Sequence, residues 1–287
     1  MASTKELRTR IKSITNTAKV TGAMQMIAAS KLRKAQDAAE SYNIYSTNYE
    51  NIKNSILNSA DFDLLAEYSD LFKSHENSDE NVLYLVISSN RGLSGPLFGN
   101  LVKTLEENTK QVNKKSFVSL GKKIDKYINS RNLNLLNTFE MKDEFTSEDV
   151  ELISNYIVDE FIENQYTSVK LVYSHFNSVA NQKAEIIDLL PFKQSENSQN
   201  VSNHIFEPNQ LDLIFDFAPK YVFIMIFRSI LDSLASEHAA RMVAMQNATD
   251  NANELVDDLT LDLNKARQET ITSELLDLVG GMSAIEN

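Results

Sequence analysis

The sequence contains no cysteine among its 287 residues. Disulfide bonds, thiolate metal sites and cysteine nucleophiles are therefore excluded. It also lacks a hydrophobic run long enough to cross a membrane, since the best candidate, residues 221–234, is short and carries Arg228 and Asp232. The N-terminus has no apolar core of a secretory signal and carries an acidic residue early. We therefore expect a soluble protein without a leader segment.

Glycine-rich fingerprints of nucleotide-binding proteins are also missing. Neither G-x-G-x-x-G nor G-x-x-x-x-G-K-[ST] occurs. Residues 92–96 fail the G-x-S-x-G pattern because Pro96 stands where the last glycine should be. The simpler expectation is that Gly92 and Gly95 permit a tight turn between a strand and a helix.

Histidines and carboxylates give no sign of a catalytic or metal centre. The four histidines are His75, His175, His204 and His238, and the densest acidic group is Glu254, Asp257, Asp258 and Asp262. The histidines lack the spacing of metal ligands, and His238 is expected to be a hydrogen-bonded structural residue. Catalytic carboxylates need a cleft that separates their pKa values, which an exposed helix face does not provide. We predict no cofactor, no metal and an acidic face that is solvated or contacts a partner.

The sixty residues 220–279 contain neither glycine nor proline. Pro219 precedes them and Gly280-Gly281 follow, so we predict a helix that these residues bound. Small and apolar residues recur in it at a period of about 3.5, which is typical of a left-handed coiled coil. The row is Leu231, Ala235, His238, Met242, Met245, Thr249, Ala252, Val256, Leu259, Leu263, Ala266 and Thr270.

A second long helix is predicted from Ser3 to about Leu57, with Gly22 as its one break in composition. Its row at the same period is Leu7, Ile11, Ile14, Ala18, Thr21, Gln25, Ala28, Leu32, Ala35, Ala39 and Tyr42. Two long helices with matching rows most simply pair with each other.

The two ends of the chain carry opposite charge. Residues 1–40 have eight basic and three acidic side chains, whereas residues 207–287 have five basic and fourteen acidic ones. This asymmetry indicates mutual attraction, separate charged partners or merely solvated helix faces. The total charge of −12 argues against nucleic acid as the main partner.

Between the helices the pattern changes to alternating strands and helices. Strands are predicted at 82–87, 116–120, 169–173 and 185–191, and helices at 97–111, 122–129 and 147–164. Continuous apolar strands that alternate with helices are typical of a parallel sheet covered on both faces. The predicted fold class is therefore α/β, with a Rossmann-like parallel-sheet domain between two helices that form a long antiparallel coiled coil.

The predicted domain boundaries follow from these elements. They are an N-terminal coiled-coil helix at 1–58, a linker at 59–80 with a short helix near 64–72, an α/β domain at 81–205 and a C-terminal coiled-coil helix at 206–287. Residues 194–203, rich in Ser, Asn and Gln, are predicted to be an exposed loop. Residues 221–227 are apolar on every side, so we expect the α/β domain to cover one face and another subunit the rest.

Four segments at the two ends of the chain carry motifs of a known family, namely residues 11–17, 23–35, 236–245 and 264–268. They resemble the gamma subunits of F-type ATP synthases, and bacterial members most. The family signature I-T-x-E is matched by residues 271–274, with Asp277 and Gly281 at the family's spacing. Residues 88–95 match more weakly, and Met282, Asn90 and Pro96 depart from the family pattern.

The resemblance implies a central rotor shaft that is not itself catalytic. In that family the antiparallel coiled coil stands inside a ring of three alpha and three beta subunits, and the α/β domain contacts the epsilon subunit and the c-ring. Membrane contact would then be made only through the c-ring, at the cytoplasmic face of a bacterial plasma membrane. The implied contact residues are Arg267, Gln268, Thr272 and Glu274 for a catch loop of beta, Met24 and Arg241 for its lever region, and Phe206 and Glu207 for the c-ring and epsilon. The rival interpretations are an enzyme with a ligand in its α/β domain and a free-standing coiled-coil adaptor.

Overall fold

The computed structural model describes residues 3–58, 62–73, 80–164, 166–193 and 210–285. Within those ranges the chain forms six α-helices and five strands. The helices are α1 (Thr4–Asn58), α2 (Phe62–Tyr68), α3 (Leu97–Thr109), α4 (Lys122–Ser130), α5 (Ser147–Glu163) and α6 (Gln210–Ile285). The strands are β1 (Asn81–Ile87), β2 (Lys114–Leu120), β3 (Leu135–Phe139), β4 (Ser168–Ser178) and β5 (Asn181–Leu190). A short 3₁₀ helix, Asp70–Phe72, follows α2 and agrees with the short helix expected near residues 64–72.

The helix α1 matches its prediction, but both predicted ends of α6 are wrong. Pro219 lies inside α6, which begins at Gln210. A proline removes one backbone donor from the helix, yet burial of Ile214 and Ala218, 1% and 2% exposed, stabilises the turns before it. The helix also continues through Gly280-Gly281 to Ile285. Glycine lowers helix propensity but keeps its N–H group, so it does not have to end a helix.

The sheet has the strand order β3-β2-β1-β4-β5. Neighbouring strands from β3 to β4 are parallel, whereas β5 is antiparallel to β4, so the prediction of a wholly parallel sheet is wrong for β5. Only two residues separate β4 from β5, and so short a connection joins antiparallel strands. The strand β3 was not predicted, because its side chains alternate between half-buried and exposed at the sheet edge instead of forming an apolar run.

The strand β1 lies at the centre of the core and its side chains are buried on both faces. Leu83, Leu85 and Ile87 belong to one apolar cluster with residues of α5 and α6. Val82, Tyr84 and Val86 belong to a second cluster with residues of α3 and α4. Successive side chains of a strand point to opposite faces, so the sheet is covered on both sides, as expected for a Rossmann-like domain.

The chain divides into two compact units. We call Met1–Ala28 with Met242–Asn287 the coiled-coil unit, and Ala29–Arg241 the sheet unit. In the sheet unit, residues 221–227 are covered largely by this chain itself, since five of the seven are buried and the ring of Tyr42 packs on Phe227 at 4.7 Å between centroids. Another subunit is therefore not needed to cover this stretch, contrary to expectation.

Candidate partner-binding surfaces

The predicted helix rows form the seam of the coiled-coil unit. Every row position of α1 from Leu7 to Ala28, and every one of α6 from Met242 to Ala266, is buried or half-buried. Ala18, Ala28 and Ala252 are among the buried ones. Small side chains in a seam let two helix backbones approach closely. The coiled-coil prediction is therefore confirmed.

Neutral polar pairs cross this seam. The hydroxyls of Thr21 and Thr249 lie 2.7 Å apart, and Gln25 donates through Nε2 to Oε1 of Gln246. A later residue of α1 thus meets an earlier residue of α6, which makes the pair antiparallel. These polar positions fix which residues face each other across the seam.

The one salt bridge between α1 and α6 among the described residues lies in the sheet unit, where Arg228 donates to Glu50 at 3.1 Å. In the described part of the coiled-coil unit, no salt bridge joins α1 to α6. The basic side chains Lys5, Arg8, Lys12 and Lys19 of α1 are exposed, and so are the acidic ones Glu254, Asp257, Asp258 and Asp262 of α6. Direct charge pairing therefore does not hold the helices together in the coiled-coil unit, and both charged faces there stay open to other surfaces.

The C-terminal part of α6 has no cover from α1. Residues 267–279 are all exposed. The large apolar ones are Ile271, Leu275, Leu276, Leu278 and Val279, each between 46% and 67% exposed. So continuous an apolar surface is typical of a binding surface.

The four predicted contact residues at this end lie on one side of α6. Arg267, Gln268, Thr272 and Glu274 are exposed, and at 100° per residue they fall within about 160° of the helix circumference. Four of the five exposed apolar side chains fall within the same arc. Thr272 donates through its hydroxyl to the carbonyl of Gln268, at 2.9 Å. This end of α6 therefore presents one mixed apolar and polar face.

His238 is buried in the sheet unit at 6% exposure. Burial, together with the charges of Arg241 and Lys31, lowers the pKa of this imidazole to about 4. Its Nδ1 has no hydrogen-bond partner among the described residues, so the expectation of a hydrogen-bonded histidine is wrong for that atom. The ring is neutral at physiological pH and packs as a core side chain.

The loop after β1 holds the start of α4. The hydroxyl of Ser88 accepts a hydrogen bond from the amide of Ile124, and the side-chain oxygen of Asn90 accepts one from the amide of Lys122. These bonds occupy donors that an anion at a helix N-terminus would need.

Gly95 in the same loop has a φ of 55°, as expected for a glycine in this turn. The second residue of the turn with a positive φ is Leu93, at 64°, and not Gly92 as expected.

One polar cluster was missed by sequence reasoning and lies between β4 and α6 in the sheet unit. The amide of Ser174 donates to Oγ of Ser233 at 3.3 Å, and Oγ of Ser236 donates to the carbonyl of Ser174 at 3.0 Å. Nδ1 of His175 lies 2.7 Å from Oδ2 of Asp232. We call these five residues the polar joint. Its sequence signal is the group of polar residues 232, 233 and 236 within residues 230–236 of α6, whose other members are apolar.

Comparison with known proteins identifies the family. A family model described as "ATP synthase" matches residues 3–285. The ATP synthase gamma chain of Christiangramia forsetii is 37% identical over 289 residues, covering 99% of both chains. The chain belongs to the ATP synthase gamma chain family.

Two solved structures contain a chain with the same fold as this one. A chain of the Euglena gracilis mitochondrial ATP synthase, in an assembly described as OSCP, F1 and c-ring in rotational state 3, superposes with a TM-score of 0.69 at 20% identity over 98% of this chain and 94% of that one. A chain of the rotor of the same enzyme in rotational state 1 gives 0.65 at 20% identity, over 93% and 98%. At this identity the match is evidence of fold alone.

The remaining contact residues predicted for a gamma chain have mixed environments. Met24 is half-buried, beside exposed Met26 and Ile27. Arg241 is only 13% exposed at its side chain and donates to Glu237 at 2.6 Å and to the carbonyl of Gly92 at 3.4 Å. It is therefore held inside the sheet unit and is not a free surface cation.

Several predicted features fall outside the described residues. They are Phe206, Glu207, His75, His204 and the loop at 194–203. Among the helices that are described, none is long and apolar enough to cross a membrane.

Proposed function

We propose that this gamma-chain family member is the central rotor shaft of an F-type ATP synthase. Membership of the family over nearly the whole chain supports this proposal. The observation that carries it is the uncovered end of α6, where residues 267–279 expose one mixed apolar and polar face. A water-soluble chain rarely leaves so continuous an apolar surface without a partner, and an enclosing ring would cover it.

The partners are a ring of three alpha and three beta subunits. A coiled coil lacks threefold symmetry, so each beta subunit meets a different side of it and favours a different conformation. Rotation of the shaft then moves every beta subunit through the same series of conformations in turn. The chain is mechanical in this scheme and catalyses no reaction. In keeping with that role, the side chains of Ser88 and Asn90 occupy the α4 donors that a phosphate would use.

Two separate groups of residues in this chain contact the beta subunits. Arg267 and Gln268, with Thr272 and Glu274 beside them, bind a catch loop. Met24 and Arg241 lie near the lever region. The ion pair of Arg241 with Glu237 holds the guanidinium in one orientation, so that the beta subunit meets a rigid Arg–Glu pair.

Phe206 and Glu207 contact the c-ring and the epsilon subunit. One chain of the Euglena gracilis assembly shares this fold, and that assembly includes F1 and a c-ring. This supports partners of the same kind. The chain would then be a peripheral protein at the cytoplasmic face of a bacterial plasma membrane, coupled to proton or sodium flow through the c-ring. No nucleic-acid partner is proposed.

Co-expression with alpha and beta subunits from the same source tests the proposal. We expect a complex with one copy of this chain for three alpha and three beta subunits, and ATPase activity that the isolated chain lacks. A well-folded ring that leaves this chain behind would overturn the proposal. Ligand turnover by the chain alone would favour an enzyme, and stable pairing with unrelated proteins would favour an adaptor.

A further inference from the structure

Most of the packing between α6 and the sheet is apolar. On α6, residues such as Val222, Ile226 and Ile230 belong to the same cluster as Leu171 and Tyr173 of β4. Apolar burial is non-directional, so it stabilises neighbouring positions of a helix almost equally well. Helices packed in this way can slide by small shear movements.

The polar joint has the directionality that the apolar packing lacks. Pairing of β1 with β4 ends at Val172, so no β1 residue stands beside Ser174. Both backbone groups of Ser174 bond instead to the hydroxyls of Ser233 and Ser236, which are three residues apart and so share one side of α6. The two serine side chains thus make the hydrogen bonds to Ser174 that a neighbouring strand would otherwise make.

Asp232 adds a further polar contact next to these bonds. Its side chain is 4% exposed and meets His175 of β4 at 2.7 Å. Other ionisable groups near it are Arg228 on α6, Glu185 on β5 and Tyr173 on β4. A shift of α6 along the sheet would leave this carboxylate and the backbone of Ser174 without partners in the interior, which is strongly unfavourable.

We propose that the polar joint fixes the register of α6 on the sheet and carries rotation between them. The inference rests on the proposed rotor function and adds to it the residues that transmit torque inside the chain. Ser233, Ser236 and Asp232 are positioning residues in this scheme, because they are buried in this chain and act through β4. The apolar cluster stabilises the contact between α6 and the sheet, and the polar joint prevents α6 from sliding along it.

The first test measures the joint in the isolated chain. In the Ser233→Ala/Ser236→Ala double variant, we expect hydrogen exchange at the Ser174 amide to be about tenfold faster, as loss of one net hydrogen bond implies. Ser229→Ala is the matched control, since Ser229 lies on the same helix at 0% exposure and its Oγ has no partner among the described residues. Equal exchange in both variants would overturn the register role. If the double variant does not fold, Ser233→Ala alone removes the acceptor of the Ser174 amide and provides the same comparison.

The second test measures transmission in the complete ATP synthase. We expect the variant to keep the ATPase activity of the alpha, beta and gamma complex, but ions pumped per ATP to fall about twofold as the sheet slides on α6. Unchanged pumping together with faster exchange at Ser174 would overturn the torque role and leave the joint purely structural. Failure of the unaltered chain to join the ring would overturn the rotor function itself, while the exchange test would still decide the register role.

Discussion

At the scale of single residues, His238 makes the stability of this chain depend on pH. Its pKa is about 4 in the folded chain, against an ordinary value of 6.5, chiefly because burial disfavours the charged ring. The unfolded chain therefore takes up a proton as the pH falls through 6.5, whereas the folded chain does so only near 4. This contribution to stability is complete above pH 6.5 and is lost as the pH falls from 6.5 towards 4.

Urea unfolding at pH 7.5 and pH 5.5 measures this effect. Between these values we expect the His238→Leu variant to lose about 1 kcal/mol less stability than the unaltered chain, because it has no proton to take up on unfolding. The lower pH is kept above the isoelectric point of about 4.9 to limit precipitation. The same pH dependence in both proteins would show that the ring is not held neutral by its surroundings.

At the scale of elements, the coiled coil depends on small side chains in its seam. Ala28 is 2% exposed, and its neighbour Ile27 is 59% exposed. We expect Ala28→Leu to lower the stability of the chain by about 1–3 kcal/mol, since a larger side chain in a close-packed seam forces the helices apart. Thermal unfolding of the purified chain measures the loss.

The adjacent Ile27→Leu substitution is the control for Ala28→Leu. It places the same side chain one position along α1, on the exposed face, where we expect a change within about 0.5 kcal/mol. If Ala28→Leu lowered the stability no more than Ile27→Leu does, close packing of α1 on α6 would be contradicted.

At the scale of the whole molecule, the rotor proposal makes the end of α6 a binding surface. Changing Arg267 and Gln268 together to Ala should lower ATPase activity of the assembled complex about tenfold, as loss of two interface contacts implies. Both side chains are exposed in the isolated chain, so its own stability should change little. ATPase assays and circular dichroism measure the two effects.

Lys110→Ala is the control for this change at the tip of α6. Lys110 is also exposed, but it lies at the end of α3 in the sheet unit. Losses of equal size in the two variants would remove the assignment of Arg267 and Gln268 to the beta contact.

Much of this architecture could be predicted from local sequence pattern. The seam rows follow from a repeat of small and apolar residues, and β1 follows from the apolar run at 82–87, because burial of such patterns needs no knowledge of distant residues. The exposed residues at the end of α6 that are proposed as contacts were selected through short motifs. By contrast, the start of α6 and the strand β3 were mispredicted or missed, since Pro219 and the alternating residues 135–139 carry weak or misleading local signals.

The sequence by itself determined two long helices with matching seams, a central α/β domain and the family to which the chain belongs. Only the tertiary structure decided that packing of Ile214 and Ala218 stabilises α6 on the N-terminal side of Pro219, and that His238 is buried with no described partner for its Nδ1. It also decided that no salt bridge joins α1 to α6 in the described part of the coiled-coil unit. It also brought Ser174 of β4 to Ser233 and Ser236 of α6. The physical reason is that periodicity records which side chains are buried, whereas the partners of a buried polar group are set by residues distant in the chain.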